Sequence, residues 1–275
     1  MVLNENYKKF IFYIRSIFNL TELTIHIIAE IGSNWEGDLE LAKAHIKKSK
    51  ESGADFVKFQ MWKAKDLYEP NHPQWEMIKK SELTQEIAQD LKKYADEIGI
   101  KWFCSVFNPE AVDFLETLNV PFYKIASRTS TLNDKFSQET IQRVGLTKKM
   151  TFVSTGEGGD IKKLSKFFSP DFLKFTYCIS KYPTNDTDID WMKIVNYDFF
   201  SDHTKGITIP LVYAMLRKTR MDGDLFIEKH TKFEDSKGPD SIFAITYDEL
   251  KQLRHNLKRI EKLDLSEIIK TPFHD

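Results

Sequence analysis

One pattern repeats along this chain and limits its fold more than any other feature: a short apolar run, a polar cluster, then a longer stretch with helical spacing. The apolar runs are Ile25–Ala29, Phe56–Phe59, Trp102–Cys104, Phe122–Ala126, Thr151–Val153, Leu173–Cys178, Tyr197–Phe200 and Leu225–Ile227. Helical spacing lies between them at 38–52, 84–98, 109–118, 134–145, 160–167, 189–195, 205–219 and 247–262, several of these stretches opened by Asp, Thr or Pro. Such alternation implies parallel strands joined by right-handed crossovers, and eight units of this kind close into an α/β (β/α)8 TIM barrel. An open doubly wound sheet would carry G-x-G-x-x-G in its first turn. Here that turn reads Glu30-Ile31-Gly32-Ser33-Asn34-Trp35-Glu36-Gly37 and lacks the spacing.

The length of 275 residues suits one barrel over 25–275 with an N-terminal extension over 1–24. Within that extension, Phe10 to Leu20 is interrupted by Arg15 and Asn19. It is too short and polar to span a bilayer and lacks a small-residue cleavage site, so it reads as an amphipathic helix for the barrel floor or an oligomer contact. With 40 basic against 41 acidic residues, no overall field attracts nucleic acid or an anionic membrane, and any anion site must be built locally. The two cysteines, Cys104 and Cys178, read as reduced buried thiols of a cytoplasmic protein. Pro70, His72 and Pro73 mark one long irregular loop of the kind that serves as a lid or binding loop.

In a barrel enzyme the reactive groups stand where strands run out into loops. Those positions are strongly polar here: Glu30; Lys58 and Gln60; Ser105 and Asn108; Lys124 and Ser127; Ser154 and Thr155; Ser180 and Tyr182; Ser201, Asp202 and His203; Glu228 and His230. Lys58 and Lys124 lie inside apolar strands, where an unpaired ammonium is expensive. A buried ion pair with Glu30 or Glu228 is one solution. A phosphate or carboxylate ligand is the other and the preferred one, because Ser105, Ser127, Ser154 and Ser201 offer neutral donors around the same anion. His203 and His230 end neighbouring strands, too few for a structural zinc site but suited to a catalytic metal with open positions, or else to ordinary hydrogen bonding. The five tryptophans read chiefly as packing, and Glu157-Gly158-Gly159-Asp160 as a turn and helix start.

Together these segments resemble the catalytic barrel of the sialic acid (N-acetylneuraminate) synthase family. The matching stretches are Ile28-Ala29-Glu30-Ile31-Gly32, Gly53-Ala54-Asp55 through Gln60, Tyr123-Lys124-Ile125-Ala126-Ser127, Ser154-Thr155-Gly156, Tyr182-Pro183, Ser201-Asp202-His203-Thr204-Lys205-Gly206, Ile227-Glu228-Lys229-His230 and Gly238-Pro239-Asp240. The resemblance implies a transferase that condenses phosphoenolpyruvate with an aldose or N-acyl amino sugar such as N-acetylmannosamine, in carbohydrate biosynthesis. It implies phosphoenolpyruvate on Lys58, Ser105, Lys124, Ser127, Ser154 and Ser201. A divalent ion, manganese first with magnesium or cobalt as alternatives, would sit on His203 and His230. Glu30, Tyr182, Glu228 and Asp240 would face the sugar or the waters of the metal, Gln60 would bind substrate, and Glu30, Lys58, Lys124 and Glu228 would form the catalytic set.

The chain departs from that family in three places. Thr129 stands where a glutamate is usual two residues after the matching serine, and Asn34-Trp35-Glu36-Gly37 replaces Asn-His-Asn-Gly. Family members normally continue into a C-terminal antifreeze-like (SAF) domain that reaches the partner's site in a homodimer. Here a homodimer is expected, with a separate chain as a source of such a domain. Two other readings stay open: a Schiff-base aldolase using Lys124 as nucleophile, and a non-catalytic barrel that binds phosphoenolpyruvate or a related ligand.

Overall fold

The computed structural model describes residues 23–219 and 223–265, so residues 1–22 of the expected N-terminal extension lie outside the described residues. The strands are β1 (Thr24–Glu30), β2 (Phe56–Met61), β3 (Lys101–Val106), β4 (Tyr123–Ile125), β5 (Thr151–Ser154), β6 (Leu173–Thr176), β7 (Phe199–Asp202) and β8 (Asp224–Lys232), with a two-residue β9 (Ile245–Thr246) beside β8. All pairings are parallel, in the order β6-β5-β4-β3-β2-β1-β8-β7. Tyr177 closes the ring by bridging to Phe200, its N–H donating to the Phe199 carbonyl at 2.9 Å. The expected TIM barrel is therefore the fold.

Local signals explain most of the helices. Asp38 caps α1 (Leu39–Glu51) by accepting from Glu40 and Leu41 N–H, and Ala42, His45, Ile46 and Ser49 turn one face inward. The long loop predicted after β2 holds two short helices, α2 (Ala64–Leu67) and α3 (Trp75–Lys80), and packs Trp62, Ala64 and Ile78 into a small cluster with Leu67, Trp75 and Phe107. Thr84 caps α4 (Gln85–Ile98), and Gly99, at φ 72°, ends it in the left-handed region. Asn108 caps α5 (Pro109–Thr117) rather than facing the site. After β4 come α6 (Ser127–Ser130) and α7 (Ser137–Leu146). The helices predicted at 160–167 and 189–195 shrink to α8 (Ile161–Leu164) and α9 (Trp191–Ile194), each only 4 residues long. Two further helices, α10 (Thr208–Lys218) and α11 (Tyr247–Glu261), complete the ring, α11 opened by a capping box between Thr246 and Glu249.

Inside the barrel, the layer below the polar strand ends is aromatic. Phe56, Phe122, Phe152, Phe199 and Phe226 pack edge to face or tilted, apart from the stacked pair Phe199–Phe226, with centroid separations from 4.7 Å for Phe152–Phe199 to 6.3 Å for Phe56–Phe226. Across the floor, His26 stacks on Phe226 at 4.8 Å. This layer keeps water from reaching the site from below, so the charges above it stand on a low-dielectric base. Among the described residues no helix is long and apolar enough to cross a membrane.

Candidate active site

Strand register decides which polar ends meet. Glu30 pairs with Lys58 on one side and His230 on the other, Ser105 lies opposite Gln60 and Lys124, and Ser201 lies opposite Glu228. Above the aromatic floor they surround a cavity of about 440 Å³ at the carboxyl ends of the strands. Lys58, Gln60, Ser105, Lys124, Ser127, Ser154, Tyr182, Ser201, His203, Glu228, His230 and Asp240 all line it. Glu30 does not. It is fully buried beneath Lys58 and Gln60 and reaches the cavity through them.

The base of the cavity is a four-charge cluster. Lys58 contacts Glu30, lies 3.6 Å from Glu228 Oε2 and donates to Ser105 Oγ at 2.9 Å. Lys124 donates to Glu228 Oε1 at 3.0 Å, and Ser201 Oγ donates to the same oxygen at 2.6 Å. Both lysines are thus ion-paired with Glu30 and Glu228, the alternative set second to an anionic ligand on sequence grounds. Burial alone would raise both carboxyl pKa values, but the two acids diverge. On Glu228, Lys124, Lys58 and the Ser201 hydroxyl outweigh burial and hold the carboxylate well below its ordinary range. Burial lifts Glu30 to about 7, against the pull of Lys58, with the neighbouring Glu228 charge adding to the rise. Burial pulls Lys58 down, but Glu228 and Glu30 together hold it above its usual value.

Two imidazoles stand above this cluster, 5.8 Å apart between ring centroids. His203 Nδ1 faces the Ile179 carbonyl at 2.8 Å, which only accepts, so the proton sits on Nδ1 and Nε2 keeps its lone pair. His230 Nδ1 is buried without a hydrogen-bond partner, 3.9 Å from Asp240 Oδ2. Burial lowers the pKa of His203 to about 4, with the His230 imidazole adding to the drop, and that of His230 to about 3, with Lys58, Lys229 and Lys124 adding to it. Both are therefore neutral near pH 7, the form that binds a metal. Two free imidazole nitrogens suit a first-row divalent ion that keeps positions open. No group of three or more His, Cys, Asp or Glu side chains converges as a full ligand set among the described residues.

Loops build the remaining walls. Asp240 Oδ2 accepts from Ser33 N–H at 2.7 Å and from Ser33 Oγ at 2.8 Å, tying the first turn to the last. Gly32, at φ 54°, is required there, because a Cβ would collide with the Asp240 carboxylate. Ser127 Oγ accepts from Gly156 N–H at 3.0 Å and touches Cys178 Sγ. Tyr182 leans over His203 with centroids 4.5 Å apart, and Phe243 packs on His230 at 4.7 Å. Asp202, a sequence candidate at a strand end, instead pairs with fully buried Lys229 at 2.7 Å and caps Thr204 N–H.

A model of the NeuB family matches residues 45–268. The chain belongs to the NeuB family. It is 31% identical over 272 residues to the N,N'-diacetyllegionaminic acid synthase of Legionella pneumophila, covering 88% of this chain and 73% of that protein. Identity to the human N-acetylneuraminate-9-phosphate synthase is 30%, over 86% of this chain and 70% of that one. Among solved structures, the N-acetylneuraminic acid (sialic acid) synthetase of Leptospira borgpetersenii, in complex with citrate, superposes with a TM-score of 0.74 at 25% identity, covering 90% of this chain and 86% of that one. The resemblance read from the sequence therefore stands at the level of the family.

Within this NeuB-family barrel the departures noted in the sequence fall away from the cavity. Thr129 is buried with its hydroxyl unpaired, and Trp35 is buried in the main core; neither lines the site. Sequence reasoning passed over Ser33, Trp62, Tyr68, His72, Arg128 and Glu157 as site residues, although all line the cavity. Most lie on loops whose course no periodicity reveals.

Proposed function

We propose that this protein condenses phosphoenolpyruvate with the aldehyde of an open-chain aldose of the N-acyl amino sugar type, giving a 2-keto-3-deoxy sugar acid and inorganic phosphate. The observation that carries this reading is the convergence of two lysines, four serines and two neutral imidazoles on one cavity above an aromatic floor. Lys58 and Lys124, with Ser105, Ser127, Ser154 and Ser201, take the phosphate and carboxylate of phosphoenolpyruvate. The cluster beneath holds two ammonium and two carboxyl groups, and a proton on Glu30 leaves it net positive when the anion arrives. That group's pKa of about 7 makes proton uptake at its carboxyl oxygen easy near neutrality.

C3 of the enol attacks the sugar carbonyl, the new alkoxide takes a proton, water adds at C2 and phosphate departs from the resulting hemiketal. Glu30, in contact with Lys58, is the carboxyl that can give or take a proton near neutrality through the Lys58 ammonium, while Glu228 stays ionised and orients both lysines. His203 and His230 are the residues that would hold a divalent ion, manganese first with magnesium or cobalt as alternatives, which would supply Lewis acidity toward a carbonyl oxygen. Tyr182 and Asp240 face the sugar.

Purified protein with manganese, phosphoenolpyruvate and a panel of aldoses and N-acyl hexosamines is expected to release phosphate and form the keto-deoxy acid, read by mass spectrometry. Silence across the panel with thermal stabilisation by phosphoenolpyruvate would point to a binding protein instead. A borohydride-trapped pyruvate adduct on Lys124 would support a Schiff-base aldolase.

A further inference from the structure

At the cavity mouth a different charge appears. Arg128 lines the opening with its side chain 42% exposed. Its Nε donates to Asp134 Oδ1 at 3.2 Å and its Nη1 to the Leu67 carbonyl at 2.9 Å, so the guanidinium is fixed between the loop after β4 and the end of α2. Those two bonds use only part of its five-donor fork, and Nη2 meets no acceptor among the described residues.

Tyr68 and His72 stand on the same wall, their rings 5.3 Å apart. Burial and Asp240 push the Tyr68 phenol up while Arg128 pulls it down, which puts the guanidinium within electrostatic reach of that hydroxyl. His72 Nδ1 accepts the Gln74 N–H at 3.1 Å, so the ring proton lies on Nε2, a further donor. Glu157 and Asp240 both act on Tyr182, and Asp240 reaches Tyr68 as well.

We propose that Arg128 sets acceptor specificity by receiving an anionic oxyacid group, phosphate or carboxylate, at the end of the sugar remote from its aldehyde. This rests on the condensation reading above. With its carbonyl at the imidazoles, an open-chain sugar must send its far end out through the mouth. The deep lysines are matched by Glu30 and Glu228 and are taken up by phosphoenolpyruvate, so a second anionic group finds its cation at Arg128. A guanidinium buttressed by Asp134 and with a free amino edge is suited to bind oxyanions.

The test uses matched sugars: an N-acyl hexosamine, its terminal phosphate ester and its uronate. For the wild type, kcat/KM is expected to favour at least one anionic member over the neutral one by about tenfold or more, and the better anion identifies the group. In Arg128→Gln that ratio is expected to collapse toward one. Arg128→Lys, which keeps the charge without the fork, is expected to fall between the two, and it carries the comparison should Arg128→Gln fail to fold. A wild-type ratio at or below one for both anions, or a ratio unchanged in the variants, overturns the proposal. Titration calorimetry of the same sugars without phosphoenolpyruvate reads the preference without turnover. A preference that depends on Arg128, with no phosphate release, would sink condensation and leave this assignment standing. Phosphate release with no preference in either measurement would do the reverse.

Discussion

At the base of the cavity every charged side chain has an opposite partner supplied by a strand, whereas at the mouth Tyr68 and His72 stand on a loop, Arg128 on the four-residue α6 and Asp240 on a single helical turn. The base rests on packed phenylalanines and is buried throughout; Lys58, Lys124, Glu30 and Glu228 are each at most 3% exposed. The mouth is partly open, and Tyr68 is 40% exposed. This contrast separates what chemistry needs from what recognition needs. A reacting anion is best met by charges already fixed and desolvated, while the acceptor's remote end can be read by groups that vary at little cost to the fold.

The largest effect is expected from Lys124→Met. It leaves Glu228 buried with only Lys58 and Ser201 as partners, and breaking one side of a buried pair costs about 3–5 kcal/mol. Activity should fall at least about 10²-fold, as for the loss of one preorganised electrostatic donor. Urea unfolding and phosphate release measure the two losses. A variant as stable as the wild type would show that the base is no more integrated than the mouth.

Metal removal should act next. If His203 and His230 hold a divalent ion, chelation should abolish turnover and lower the thermal midpoint, and excess manganese at about 100 times Kd should stabilise by about 2.7 kcal/mol. Both imidazoles are deprotonated well below pH 6, so metal affinity should be nearly flat between pH 6 and 8. A tenfold rise in affinity over that interval would mean that the ligands still carry protons there.

Much of this architecture was legible in the chain, and the failures have physical causes. Parallel strands buried on both faces announce themselves as apolar runs, so seven of the eight predicted strands need only small adjustments of their ends. β8 is the exception. Its second half, Glu228 to Lys232, reads as loop because its polar side chains are rendered tolerable only by partners on other strands, such as Lys124 for Glu228 and Asp202 for Lys229. The strand residues that line the cavity stand out in the sequence because a lysine inside an apolar run is conspicuous. Arg128 does not, since nothing in Ser127-Arg128-Thr129 tells that its side chain crosses to a carbonyl 61 residues earlier. Base and mouth thus differ in legibility for the same reason that they differ in rigidity.

Glu30→Gln sharpens the base further through pH. A carboxyl whose folded pKa is raised to about 7 from 4.5 binds its proton more tightly when folded. Its contribution to stability is full below about pH 4.5 and is lost as pH rises toward 7. His45, His203 and His230, with lowered folded values, act in the opposite sense and lose stability as pH falls below 6.5. Removing Glu30 should therefore leave the histidine trend uncovered. Relative to the wild type, Glu30→Gln should gain stability between pH 5 and pH 7.5, as read by urea midpoints at both values. An unchanged difference would mean that Glu30 is ionised throughout.

The smallest global effect belongs to the mouth. Trp75 contributes to a cluster separate from the main core, around Trp62, Ala64 and Ile78. Segments with few apolar contacts open locally at free energies well below global unfolding. Trp75→Ala should therefore shift global stability by less than about 1 kcal/mol, whereas Phe152→Ala in the barrel floor should cost about 3–5 kcal/mol. Hydrogen exchange should quicken in residues 64–80 alone, and the KM of the acceptor should rise more than that of phosphoenolpyruvate. Equal losses of stability from the two substitutions would mean that the mouth folds as part of the barrel, and the division between an inner reacting half and an outer recognising half would fail at its structural root.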